Sequence, residues 1–131
     1  VMLVTDFLER YGGGCRLLEP HQQLKARGLV VPYYADMVGE VLFVSHEWLG
    51  FSHPDPRGDQ LRELCLALQR LSSGAEDEVQ SSWESQLLWK TNNVVRGSEW
   101  KQRLVGAWLW LDYISIPQLN VAVTSSAPNS P

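Results

Sequence analysis

The chain has 131 residues, 44% of them apolar and 20% charged, with a formal net charge of −4. That length holds one domain with a core adequate for folding, and the acidic balance argues against a nucleic-acid or anionic-membrane surface, since both call for clustered Lys and Arg. Cys15 and Cys65 form no disulfide framework, so the reading is a reducing, cytoplasmic compartment. No apolar run approaches the roughly 18–20 residues that cross a bilayer, and Asp6 interrupts the apolar start of the chain.

In chain order, residues 1–11 read as one short helix, with Leu3, Phe7 and Leu8 at helical spacing, ended by Gly12-Gly13-Gly14. No Lys-Ser/Thr follows these glycines, which makes them a linker and not a phosphate loop. Glu19 to Arg27, with Pro20 near its start and Gly28 past its end, fits a short helix. Residues 29–34 (LVVPYY) read as extended and are a candidate strand, confined to an edge by Pro32.

Val41 to Val44 (VLFV) is a continuous β-favouring run, expected to be a strand buried on both faces. It opens into Ser45, His46, Glu47 and the loop Ser-His-Pro-Asp-Pro. The segment from Asp59 to Leu71 predicts the clearest helix. Leu61, Leu64, Cys65, Leu68 and Leu71 form one stripe, Asp59 is placed as its cap, and Gly74 closes it. Residues 75–78 (AEDE) read as a solvated loop. Ser81-Ser-Trp-Glu84 has capping-box spacing for a helix through Trp89. Residues 91–97 read as a polar connector, and Ser98 as the cap of a turn or two ending at Leu104. Ala107 to Asp112 (AWLWLD) is the second strand, with Trp108 and Trp110 on one face and Leu109 and Leu111 on the other. The residues between the strands suffice for a parallel, right-handed βαβ crossover. Residues 119–131, rich in Ser, Pro and Asn, read as a disordered tail, and the small number of strands suggests a sheet incomplete toward the C-terminus.

If the two strands are parallel neighbours, Ser45, His46, Glu47 and Trp48 come near Asp112, Tyr113, Ser115 and Gln118. His53 and Asp55 can close over them. The ligand types suit a metal, but the spacing of a metal site is missing. A Ser-His-Asp hydrolase is disfavoured because Ser45 and His46 are adjacent and no G-x-S-x-G elbow occurs. Each residue has a plainer role as well. His46 can simply bond the next loop, His53-Pro-Asp-Pro can be a rigid turn, and the tryptophans can serve packing.

The blocks VLFVSHEWLG, HPDP and WLWLDYISIPQ, in this order, resemble the N-terminal half of TIR-like domains and the related fungal heterokaryon-incompatibility (HET) domains. The likeness is strongest to TIR-like proteins of protists such as dinoflagellates. It covers residues 25–118 and divides the chain into a helical lead-in (1–28), a partial TIR/HET-like α/β domain (29–118) and the tail (119–131). It implies a flavodoxin-like parallel sheet. It also implies one of two functions: a self-associating signalling module, or an enzyme that binds or cleaves NAD. The family's catalytic glutamate lies on a helix beyond the second strand, and neither Glu47 nor Asp112 matches it. The leading expectation is the interaction module, partnered by its own kind and by neither nucleic acid nor membrane. The alternative is NAD or a related nucleotide, held by the residues at the strand ends.

Overall fold

The computed structural model describes residues 1–74, 78–80 and 94–119, and the side chains of 78–80, 94 and 95 are left aside. The elements run β1 (Met2–Leu3), α1 (Val4–Tyr11), α2 (His21–Ala26), β2 (Val41–Val44), α3 (Asp59–Ser73), β3 (Glu78–Gln80), β4 (Val94–Arg96), α4 (Gly97–Leu104), β5 (Trp108–Leu111) and α5 (Asp112–Ser115). The fold is mixed α/β.

Its main sheet has the order β1-β5-β2. The two apolar runs pair in parallel, with Val41 opposite Trp108 and Val44 opposite Leu111. The third strand is not residues 29–34, which form no strand. It is Met2–Leu3, antiparallel to β5. The first residues of the expected N-terminal helix are therefore a strand, and Val4 N–H bonds the Ala107 carbonyl at 3.0 Å where helix α1 begins. A two-residue strand has no periodicity of its own, so pattern alone does not reveal it. Pro32 removes a backbone donor, and the tyrosines after it stay exposed.

Just ahead of the two parallel strands the chain segments pass close to one another. Gly39 has φ +108°, and a Cβ there would run into the Gly106 carbonyl oxygen. Beside it, Trp108 N–H bonds Glu40 O at 2.7 Å and the Trp108 indole donates to Val38 O. Only glycine permits that approach.

One face of the sheet carries the core. Met2, Leu109 and Leu111 are buried against Val4, Phe7 and Tyr11 of α1 and Leu61, Cys65 and Leu68 of α3, with Leu24, Leu104 and Ile114 closing the cluster. The stripe predicted for α3 is the face it buries. Deleting one of these leucines to alanine removes transfer energy and leaves a cavity, about 2–5 kcal/mol together.

The other face corrects the expectation for Val41–Val44. Val41 and Phe43 are exposed, whereas Leu42 and Val44 pack against the core. The strand is thus covered on one side only. Phe43 stacks on Trp110 with ring centroids 4.5 Å apart, and it remains 69% exposed.

Two further corrections concern the crossover. Part of the expected polar connector, Val94–Arg96, is a strand, antiparallel to Glu78–Gln80, so Glu78 is not in a loop. Helix α4 begins at Gly97 after Arg96, with no side-chain cap from Ser98. The capping box at 81–84, Trp83 and Trp89, and the tail from 120 onward lie outside the described residues. No helix among the described residues is long and apolar enough to cross a membrane.

Candidate functional site

The parallel register of β2 and β5 brings their C-terminal ends side by side, which gathers part of the predicted cluster. The Nδ1 of His46 lies 3.7 Å from Asp112 Oδ1. The Trp48 indole donates to Asp112 Oδ2 at 3.2 Å. Asp112 also accepts the Tyr113 N–H at 2.6 Å, so one carboxylate holds both the next residue's backbone and Trp48. Tyr113 is buried, which pushes its phenol pKa up, and its ring meets both Trp48 (5.7 Å) and His53 (5.2 Å) edge-on. His46, Trp48, Asp112 and Tyr113 therefore form one aromatic and acidic cluster at the sheet mouth.

His46 is the unusual member. Its side chain is 13% exposed, and neither ring nitrogen has a hydrogen-bond partner among the described residues. It borders a cavity of about 60 Å³ with Gln60, Leu18, Val44, Leu61, Leu64 and Leu111. Gln60 Oε1 is likewise buried without a partner, while its amide nitrogen donates to Glu47 O at 3.2 Å. Unpaired buried polar atoms each cost about 1–3 kcal/mol. The plain role expected for His46, bonding the neighbouring loop, is not what the geometry shows.

His53 and Asp55 have that plain role instead. His53 Nδ1 accepts the Asp55 N–H at 2.9 Å, which leaves the proton on Nε2, donated to Leu18 O at 2.8 Å. Asp55 is 1% exposed, and its Oδ2 accepts the Leu61 N–H in the first turn of α3 at 2.8 Å. The N-cap of α3 is Gly58 (φ +74°), and the side chain that takes up a first-turn N–H is Asp55 from before it, not Asp59, which pairs with Arg57 and Arg62. Ser-His-Pro-Asp-Pro is a rigid turn that starts a helix.

The remaining candidates separate from the cluster. Ser45 and Glu47 are exposed. Ser115 Oγ receives the Leu111 N–H at 3.2 Å and borders a different groove. Gln118 exchanges hydrogen bonds with Gln22 of α2. With His21 Nδ1 at 3.0 Å from Ile114 O, these contacts fasten the segment after β5 to α2.

No protein-family model, no curated protein and no solved structure matches the chain. The site must be read from its own geometry. No group of three or more His, Cys, Asp or Glu able to hold a metal occurs among the described residues. The cavity at His46 is far below the ~300–1,000 Å³ of small-molecule pockets. A dinucleotide does not fit inside it and would have to lie across the open mouth.

Sequence reasoning missed the Arg10–Glu19–Tyr11 network. Arg10 grips Glu19 with two nitrogens at 2.5 and 2.6 Å, and the Tyr11 hydroxyl donates to the same carboxylate at 2.9 Å. Hydrogen bonding from Arg10 holds the Glu19 carboxyl below its usual range, while burial and Glu19 push the Tyr11 phenol up. Arg10 and Tyr11 end α1 and Glu19 lies in the segment before α2, so no local spacing announces them.

Proposed function

We propose that the chain is an intracellular, cytoplasmic interaction module of the TIR/HET-like kind that associates with its own copies. The parallel pairing of β2 with β5 supports the flavodoxin-like arrangement that this likeness implies. The observation that carries the functional reading is the amount of large apolar surface left outside the core. Val38, Val41 and Phe43, on and just before β2, all face solvent. Monomeric proteins seldom leave such surface in contiguous patches unless something docks there.

The test is light scattering across a dilution series. The apparent mass should fall from an oligomer toward that of the 14.8 kDa chain as concentration drops from hundreds of micromolar to below one. A monomer throughout would remove the reading.

A second reading, binding of NAD or a related nucleotide across the sheet mouth, is favoured by the unpaired nitrogens of His46 beside Asp112 and Trp48. If it holds, millimolar NAD raises the thermal midpoint, because a ligand selective for the native state stabilises it. His46→Ala would abolish that rise while keeping a cooperative melt. A midpoint that NAD leaves unmoved would eliminate the nucleotide.

A further inference from the structure

We propose that the cavity between the segment after α1 and the start of α3 binds a phosphate dianion or the phosphoryl end of a small molecule. It is a different cavity from the one at His46, and it stands apart from both readings above.

Its charged residues come from two stretches with no pattern in common. Arg16 follows the glycines that end α1, Arg57 precedes α3, and Arg62 lies in the first turn of that helix. All three border one cavity of about 100 Å³, whose inner wall includes the buried Tyr11 and Leu61. No Asp or Glu borders it among the described residues. Small-molecule pockets run to ~300–1,000 Å³, so this one takes a single compact group and leaves the rest of a ligand outside.

Two of the guanidiniums are held in place. Asp59 pairs with Arg62 and lies 3.7 Å from Arg57, and Arg62 Nη1 also donates to the Arg57 carbonyl at 3.3 Å. A guanidinium carries five N–H donors, so these contacts orient Arg57 and Arg62 and leave most of their donors unused. Gly58, between them in sequence, also borders the cavity. A Cβ there would stand 3.2 Å from Leu17 and 3.7 Å from Arg62 Nη1, so glycine leaves that wall bare. Arg16 stands between this cavity and an open depression bordered by Asp6 and Glu9, and it makes an ion pair with neither.

Charge selects the ligand. Three guanidiniums against the single carboxylate of Asp59 leave two positive charges, on a chain at −4 overall. A carboxylate ligand would cancel one of them. A phosphoryl group, at about −1.5 to −2, cancels both. The planar fork of arginine also matches phosphate oxygens two at a time, which adds geometry to the charge.

The experiment titrates inorganic phosphate into the full chain by calorimetry, with ionic strength held constant by chloride. Saturable binding at millimolar phosphate is expected. Arg16→Gln should weaken it by about tenfold or more, as for a lost hydrogen bond to a charged group. Arg16 is exposed, so this variant should melt like the parent; if it does not, Arg57→Gln takes its place. Lys25→Gln removes the same charge outside the cavity and should bind phosphate as the parent does. Phenyl phosphate binding more tightly than phosphate would identify a larger ligand with a phosphoryl end, and equal affinity would identify the free ion. No saturable binding, or acetate binding as tightly as phosphate, overturns the proposal. A loss in Lys25→Gln as large as in Arg16→Gln overturns it too, because the effect would then be one of overall charge.

Discussion

Asp55 begins a helix that starts four residues later. Its Oδ2 takes the Leu61 N–H from inside the protein, because Gly58 in the left-handed region turns the chain between them. Asp55→Ala should therefore lower unfolding stability by about 0.5–2 kcal/mol, the usual worth of a helix cap, in urea titration. Asp59→Ala, at an exposed position, should change it much less. Glu19 gives a pH-dependent counterpart. Its carboxyl is held below the ordinary value of 4.5 by Arg10, so the folded state binds its proton less readily than the unfolded chain does. The stabilisation is present above pH 4.5 and is lost as pH falls through the lowered folded value. Glu19→Gln should cost about 1.5–3 kcal/mol at neutral pH, as for hydrogen bonds to a charged group. The gap between the two proteins should close in acid, which a pH series of urea melts reads directly. Neither role was visible in the sequence. Asp59 stood at the obvious capping position, and Glu19 meets its partners only after α1 folds back on the segment before α2.

Among the elements, those with enough residues to show a period were legible. The stripe of α3 and the two apolar strands appeared where their patterns placed them, and the parallel pairing followed from the long connection between them. What failed was short or depended on a neighbour. Met2–Leu3 becomes a strand because Leu109 and Trp108 lie beside it, and Val94–Arg96 because Glu78–Gln80 does. The apolar run Val41–Val44 carried no sign that one face would stay open. Val41 and Phe43 are as hydrophobic as Leu42 and Val44, and only the position of α1 and α3 distinguishes the two sides. The candidate site was legible to the extent that it sat at the strand ends. His46, Trp48, Asp112 and Tyr113 converge there, whereas His53, Asp55, Ser115 and Gln118 are spent on holding loops.

At the scale of the whole molecule, the described residues form a three-stranded sheet, with the core on one face and Val41, Phe43, Trp108 and Trp110 on the other, and a separate two-stranded pair. The His46 cluster lies at the sheet's end, away from the open face and beside a cavity suited to no more than a small group. On the proposed reading, the chain acts through contact between its copies. Hydrogen–deuterium exchange of the unaltered chain at two concentrations, one favouring the monomer and one the oligomer, tests that assignment most directly. Added protection at high concentration should fall in peptides covering residues 33–43 and 106–111, with little change over residues 47–53. Protection gained at the loop instead, or nowhere, would contradict it.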